Sequence, residues 1–220
     1  MFVKDRMTPN PTTGNPDLSV TDAQDLMKSG GFRHLPILDD SGKLIGLISK
    51  GSLASALPAD TSNLSRFEVS YVLAKIKVHS IMVEDVVTAT PDTPIEIAAR
   101  MMADNLIGCL PVLEGDELVG IITDRDLFFT MVSLLGARSA GIRITVMQPD
   151  RAGEVARTTT AIAEAGGYLS VSIGYYPPQN PDHWISVYKV QNISEEKLIE
   201  VINNLEDATI LDIRQFQESS

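Results

Sequence analysis

The chain contains the same residue pattern twice, and this internal repeat constrains its fold more than any other feature. When the sequence is laid on itself with an offset of 75, apolar and turn residues coincide in order, and the offset becomes 74 after a one-residue gap near Ser41. The matched pairs include Val3 with Val78, Met7 with Met82, Leu35 with Leu110, Gly46 with Gly120, and Leu53 with Leu127. Neither copy has enough core alone, so the two are expected to pack together.

Each copy is predicted to have the order β-α-β-β-α. In the second copy a helix is predicted from Ile95 to Asn105, because apolar residues recur there at helical spacing. That stripe consists of Ile95, Ala98, Ala99, Met102 and Leu106. Strands are predicted near 86–88, 110–113 and 118–122, with a turn at 114–116, and the first copy has its first strand near 12–13 and its turn at 41–42.

A buried strand runs directly into a helix near the end of each copy. In the second copy, Gly120 and two isoleucines are followed by Thr123 at an N-cap position and by Asp126 three residues later. This spacing is typical of a capping box. A helix N-terminus also presents free backbone N–H groups, which favour an anion such as phosphate. From this pattern alone, a structural cap and an anion site are both open.

The pattern changes after the small, flexible stretch Gly136–Gly141, which is predicted to be a linker. Alternating apolar residues from Ile142 onward predict four strands and two helices in the order β-α-β-β-α-β, which is ferredoxin-like. The fold class is therefore α+β. The predicted segments are repeat 1 at 1–56, a connector with an inter-repeat helix at 57–77, repeat 2 at 78–135, the linker at 136–141 and a C-terminal domain at 142–216. The connector contains a polar turn at Pro58–Asn63, and Ser65 is expected to cap its helix.

Composition excludes several classes of protein. The net charge of −11 and the isoelectric point near 4.6 disfavour nucleic acid as a partner, although one small anion could still bind locally. No apolar run approaches the roughly 20 residues of a membrane helix, and the first residues lack a signal-peptide core, so a cytoplasmic location without membrane association is expected. The single Cys109 cannot form an internal disulfide, which fits a reducing compartment.

Catalytic signatures are missing from the sequence. His34, His79 and His183 are isolated, so no metal site is expected. Dinucleotide and phosphate-loop glycine motifs are absent, and no paired acids support acid-base chemistry. The sequence therefore predicts a protein that is not an enzyme.

The stretch Phe128–Leu135 has more large apolar residues than one buried helix face needs. Two interpretations are open, an internal core and the seam of a homodimer.

The two repeats resemble tandem CBS domains, which bind adenine nucleotides in many regulatory proteins. The resemblance covers about the first 135 residues. In the second copy it is carried by Met82, Thr88-x-x-Pro91, Leu110-Pro111-Val112 and Gly120-Ile-Ile-Thr123-x-x-Asp126. The corresponding residues of the first copy are Met7, Thr13-x-x-Pro16, Leu35-Pro36-Ile37 and Gly46-Leu-Ile-Ser49-x-x-Ser52.

This resemblance implies a cleft for an adenine nucleotide of the AMP, ADP or ATP class as a regulatory ligand, with no other cofactor. In the family the threonine of the last motif contacts phosphate and the aspartate holds the ribose hydroxyls, so Thr123 and Asp126 are expected to take these roles. Arg125 either neutralises phosphate charge or is a solvated surface arginine. The other residues expected at this cleft are Ile122, Cys109, Thr13 and Gly14.

A second, pseudo-symmetric cleft is implied by the same resemblance. Its expected residues are Arg33, His34, Ser49, Ser52, Thr88 and Ala89. Ser52 stands where the family has aspartate, so this cleft is expected to be empty or to bind more weakly. Arg33 and His34 could still bind phosphates, whereas Gly108 and Cys109 at the corresponding positions carry no charge.

The C-terminal part resembles an ACT domain, a module that often senses amino acids and is usually dimeric. The resemblance is carried by the Gln148–Glu154 loop and the Ala161–Gly167 stretch. It implies that Asp150, Arg151 and Gly153 hold a small amino acid at a dimer interface, and dimerisation without any ligand is equally open. A CBS pair followed by such a domain is similar to the acetoin-utilisation (AcuB-like) family.

The sequence as a whole predicts a ligand-sensing regulatory homodimer that binds an adenine nucleotide. The alternative is a structural adaptor without ligands that regulates an unknown partner enzyme by direct contact. An enzyme that acts on acetoin itself is disfavoured by the missing thiamine, nicotinamide and metal signatures.

Overall fold

The computed structural model describes residues 1–56, 66–178 and 182–217. The predicted turn at Pro58–Asn63 and the cap at Ser65 lie outside the described residues, as do residues 179–181 of the long loop near the C-terminus. Contacts divide the chain into two units, Met1–Phe128 and Phe129–Ser220. The division falls inside a helix and not at the stretch 136–141 that was predicted as the linker.

The first repeat is built on an antiparallel strand pair. The helix α1 begins after Ser19, whose hydroxyl accepts from the Asp22 N–H at 3.1 Å, and it ends at Gly31 in the left-handed region (φ 70°). In chain order, the elements of this part are β1 (Thr8–Pro9), α1 (Val20–Gly30), β2 (His34–Leu38), β3 (Leu44–Ser49), α2 (Lys50–Ser55) and α3 (Arg66–Lys75).

The second repeat has the same order of elements. They are α4 (Ile95–Asn105), β4 (Cys109–Glu114), β5 (Glu117–Thr123) and α5 (Asp124–Leu134). The predicted helix from Ile95 to Asn105 is confirmed, but the placement of Leu106 on its buried stripe is wrong. Leu106 ends α4 in the left-handed region (φ 54°), which turns its side chain away from the core and leaves it 94% exposed. The strand predicted first in each repeat is reduced to single bridges, Gly14 with Ile37 and Ala89 with Val112.

The two repeats exchange their first segments. The N-terminal β1 pairs with β5 of the second repeat, with Thr8 opposite Ile121, and Val3 is fully buried in the core of that repeat. Reciprocally, Val78 is fully buried in the core of the first repeat, and Val83 forms a bridge with Leu47. Each core is therefore completed by residues from the other copy, so the repeats form one body.

The second unit is a four-stranded antiparallel sheet with two helices. Its elements are β6 (Gly141–Pro149), α6 (Glu154–Glu164), β7 (Tyr168–Tyr175), β8 (His183–Gln191), α7 (Glu195–Asn203) and β9 (Thr209–Phe216). The strands lie in the order β7-β8-β6-β9. Alternate residues of β6, such as Ile142 and Ile144, pack against Ile162 of α6 and Leu198 of α7. None of the helices in the described ranges has the length and apolar character that crossing a bilayer requires.

The exchanged valines generate a first prediction. Val3→Ala and Val78→Ala should each lower the free energy of unfolding of the first unit by about 2 kcal/mol, because each removes two buried methyl groups and leaves a cavity. Denaturant unfolding measures this change. Val83→Ala is the matched control, since Val83 is 52% exposed and its truncation should cost less than about 0.5 kcal/mol.

Hydrogen exchange locates the damage. Val3→Ala should raise exchange first in β4 and β5, and Val78→Ala first in β2 and β3. If Val3→Ala behaves like Val83→Ala, the N-terminal segment does not support the core of the second repeat.

Candidate functional site

The junction between β5 and α5 is a capping box. The backbone N–H and the hydroxyl of Thr123 both donate to Oδ2 of Asp126, at 2.8 and 2.7 Å. The N–H of Asp126 lies 3.4 Å from Oγ1 of Thr123. The structural cap considered for this sequence is therefore present, and it fixes the position of the Asp126 carboxylate on the lining of a cavity.

This cavity, called here the Asp126 cavity, has a volume of about 430 Å³ and lies between the two repeats. It brings together Thr123, Arg125 and Asp126 from the second repeat. The first repeat contributes Thr8, Asn10, Pro11, Thr12 and the segment Gly30–His34. Two arginines, Arg33 and Arg125, are thus placed on the same cavity as the fixed carboxylate.

Four residues expected at this cavity lie elsewhere. Ile122 is fully buried in the core, and Ile121 lines the cavity in its place, because neighbouring residues of a strand point to opposite faces. Gly14 is held on β2 by its N–H bond to the Pro36 carbonyl at 2.9 Å, and with Thr13 it lies outside the lining. Cys109 lines the other cavity described below.

The larger cavity, called here the Ser49 cavity, has a volume of about 650 Å³. Its apolar wall is formed by Leu47, Val83, Val86, Val87, Leu106 and Ile107. Its polar side chains are Arg33, His34, Ser49, Lys50, Asp85 and Asp124. The exposed Leu106 has its place here, at the rim of a cavity and not in the core.

Only part of the expected second cleft lines this cavity. Arg33, His34 and Ser49 are present, whereas Ser52 is turned into its own capping box, with its hydroxyl 2.9 Å from that of Ser49. Ala89 is buried in the core of the second repeat. Neither Ala89 nor the neighbouring Thr88 lines the Ser49 cavity. The segment just before them, Asp85–Val87, lines the cavity instead.

Arg33 and His34 line both cavities. The Nη2 atom of Arg33 lies 2.9 Å from Oδ1 of Asp124, so this ion pair joins the first repeat to the second. Both side chains are about half exposed, and a pair of this kind adds little stability. Burial lowers the pKa of His34, and Arg33 lowers it further while Asp124 opposes the shift. His34 is therefore uncharged at neutral pH, which leaves the arginines as the cationic groups on the Asp126 cavity.

The two cavities differ in charge. Among the described lining residues, the Asp126 cavity has two cations, Arg33 and Arg125, against one carboxylate. The Ser49 cavity has two cations against two carboxylates, Asp85 and Asp124. A ligand with phosphate groups is therefore favoured in the Asp126 cavity, and a ligand with little net charge is favoured in the Ser49 cavity.

The loop predicted to hold an amino acid in the second unit is occupied by its own ion pairs. Arg151 contacts Glu154 and Asp207, and Arg157 also contacts Glu154. Burial alone would raise the pKa of Glu154, but its bonds to the two arginines lower it overall. Gly153 is the N-cap of α6 and lies in the left-handed region. Asp150, three residues earlier, donates its backbone N–H to the Asp182 carbonyl. Across the described part of the chain, no group of three or more His, Cys, Asp or Glu side chains is arranged to hold a metal ion.

Known protein families and solved structures are similar to the first unit. The family model described as CBS domain matches residues 3–59 and 78–133, about half of the chain. A Vibrio cholerae protein assigned to acetoin utilization (AcuB) has a similar structure, with 33% identity and a TM-score of 0.52, over 62% of this chain and 93% of that one.

Two structures with bound ligands are also similar. The CBS domain pair of protein MJ0100, in complex with 5′-methylthioadenosine and S-adenosyl-L-methionine, is 29% identical with a TM-score of 0.52, over 60% of this chain and 97% of that one. CBSX2 in complex with AMP is 28% identical with a TM-score of 0.50, and the match covers 60% of this chain and 96% of that one. The first five curated relatives carry enzyme names and are much longer than this chain, which spans 22% to 24% of their length.

Cys109 provides a prediction about the Ser49 cavity. Burial and the nearby charge of Asp124 raise the pKa of this thiol to about 12, and the residue is only 2% exposed. At pH 8 its thiolate fraction should be roughly a thousandfold below that of an ordinary cysteine. The native protein should therefore react with a disulfide reagent at least about a thousandfold more slowly than protein unfolded in guanidinium. A native rate within tenfold of the unfolded rate would contradict this placement of Cys109.

Proposed function

This chain belongs to the CBS domain family, and from that premise we propose that its first unit is a regulatory module that binds an adenine nucleotide between the two repeats. The observation that carries the proposal is the Asp126 cavity, in which a fixed carboxylate and two arginines converge. The complexes of CBSX2 with AMP and of the MJ0100 pair with adenosine derivatives support this choice of ligand class.

The geometry suggests a role for each group. The two hydrogen bonds that Thr123 donates from its backbone N–H and its hydroxyl both reach Oδ2 of Asp126, so the carboxylate is held in place before a ligand arrives. A carboxylate can accept hydrogen bonds from both ribose hydroxyls, which bare phosphate does not offer. The guanidinium groups of Arg33 and Arg125 match the geometry of phosphate oxygens. Ile121 offers an apolar surface on the same cavity.

The Ser49 cavity is proposed to take a less anionic adenosine derivative, or to bind nucleotide more weakly. Ser52 provides no carboxylate for the ribose, and the lining carboxylates Asp85 and Asp124 oppose added negative charge. The apolar wall around Leu106 and Ile107 suits a flat base.

Arg33 connects ligand binding to the packing of the repeats. A phosphate group in the Asp126 cavity would attract Arg33 and compete with its ion pair to Asp124. The two repeats would then favour a different relative arrangement, which is regulatory only if the ligand binds the two arrangements unequally. This shared residue is a physical route by which one cavity can affect the other.

Thermal unfolding with single ligands tests the proposal. AMP, ADP, ATP, S-adenosyl-L-methionine and 5′-methylthioadenosine are added in turn, and a ligand at a hundred times its dissociation constant should add about 2.7 kcal/mol to the free energy of unfolding. Asp126→Asn keeps an acceptor for the Thr123 cap but removes the charge. It should weaken binding of the active ligand by tenfold or more.

Ser52→Ala is the matched control, because Ser52 occupies the corresponding position of the other repeat. It should leave the affinity of the Asp126 cavity unchanged. If none of the five ligands shifts unfolding, the adaptor alternative is favoured, in which the protein regulates a partner enzyme by direct contact.

For the second unit we propose a ferredoxin-like, ACT-type domain that pairs subunits. Its element order β-α-β-β-α-β and its strand order support this assignment. Because Arg151 is already held by Glu154 and Asp207, dimerisation without a ligand at the Asp150–Gly153 loop is favoured over amino-acid binding there. The similarity to the Vibrio cholerae protein suggests a link to acetoin utilisation. We further propose that the protein acts as a regulator in the cytoplasm.

The proposed homodimer yields a further prediction. Light scattering at micromolar concentration should give twice the chain mass of 23.9 kDa. Of the two interpretations of the stretch Phe128–Leu135, the exposure of Phe128 and Met131 on α5 supports the dimer seam over the internal core. The double variant Phe128→Asp, Met131→Asp should therefore shift the mass toward the monomer. Val155→Asp, an exposed apolar position on α6, is the control and should remain dimeric. A monomeric wild-type protein would contradict the proposal.

A further inference from the structure

A third cavity, separate from those of the CBS pair, lies in the second unit. It has a volume of about 220 Å³ and is lined by side chains of β6–β9 and by Leu135 and Ala137, which precede β6. The lining residues Arg143 and Lys189 alternate along their strands with the core residues Ile142 and Val190. They therefore lie on the sheet face opposite α6 and α7, away from the Asp150–Gly153 loop.

Lys189 is the unusual group of this cavity. It is only 4% exposed, and its ammonium group donates to the Gly136 carbonyl at 2.6 Å and lies 4.8 Å from the centre of the Phe216 ring. Within residues 1–56, 66–178 and 182–217, it forms no ion pair with a carboxylate. A buried charge is costly unless it is paired, so Lys189 has the character of a binding group for an anion.

The rest of the lining limits what the anion can be. Arg143 is already bonded to Asp212 and to Thr145, each at 3.0 Å, so Lys189 is the cation that a ligand would neutralise. The remaining lining residues are Leu135, Ala137, Val171, Ile173, Val187 and Phe216. These walls offer apolar contact and no partner for a second polar group.

We propose that this cavity binds a small aliphatic monocarboxylate, with its carboxylate on Lys189 and its short or branched chain against Val171, Ile173 and Leu135. A volume of about 220 Å³ equals that of roughly seven liquid waters, which suits an acid of about four to six carbons. A nucleotide is too large for it. A free amino acid is disfavoured because its ammonium group would be buried beside Lys189 and Arg143.

This inference is independent of nucleotide binding, and isothermal titration of the full chain tests it. The probes are isovalerate, its neutral isostere isovaleramide, and leucine. Isovalerate should bind at least tenfold more tightly than either of the other two. Burial lowers the pKa of Lys189, and an added carboxylate should raise it, so binding should take up protons at alkaline pH.

Two lysine variants complete the experiment. Lys189→Met should abolish the preference for the acid over the amide, whereas Lys197→Met, at an exposed lysine paired with Glu200, should leave it unchanged. If Lys189→Met does not fold, the comparison of acid with amide in the wild-type protein decides the question. The proposal would be overturned if isovalerate at about 20 mM showed no binding. Equal binding of the acid and the amide would also overturn it.

Discussion

The architecture of the first unit depends on the reciprocal burial of Val3 and Val78, each in the core of the other repeat. The residues that follow them reinforce this exchange. The side chain of Met7 lies over Gly120, and that of Met82 lies over Gly46, so closely that a Cβ at either glycine would collide with the methionine sulfur. Because neither core is complete without the other copy, the two repeats are held face to face, and the seam between them is where both cavities lie.

The exchange also explains why each cavity is built from both copies. The segment that leads away from β1 lines the Asp126 cavity, and the corresponding segment at Asp85–Val87 lines the Ser49 cavity. The backbone is thus nearly symmetric while the chemistry is not. Asp126 of the second repeat corresponds in position to Ser52 of the first, and Gly108-Cys109 correspond to Arg33-His34. The His34 ring lies close to Gly108, where an added Cβ would be 3.5 Å from its Nε2 atom. Arg33 and His34 line both cavities, and two similar folds become two different binding environments.

Local patterns in the sequence were sufficient for much of this structure. The repeat predicted the order of elements, helical spacing predicted α4, and the Thr-x-x-Asp spacing predicted the cap that Thr123 and Asp126 form. Strict alternation along β5 would also have identified Ile121, in place of Ile122, as the residue facing the cavity. The exchange of first segments could not be predicted in this way, because it depends on which core Val3 enters. Leu106 was misplaced because its left-handed conformation overrides the helical stripe.

The second unit shows why the surroundings of a buried charge matter more than its presence in a motif. Glu154, beside the loop that the ACT resemblance indicated, is buried and forms ion pairs with Arg151 and Arg157, so its charge is satisfied within the protein. Lys189 had no motif to mark it, yet on the opposite face of the same sheet it is buried and forms no ion pair with a carboxylate among the described residues. A paired buried ion mainly specifies local structure, since removing one partner is costly and the pair needs no ligand. A buried cation without a carboxylate partner retains attraction for an outside anion, which is why the proposed small-molecule site of this unit lies on the face with Lys189.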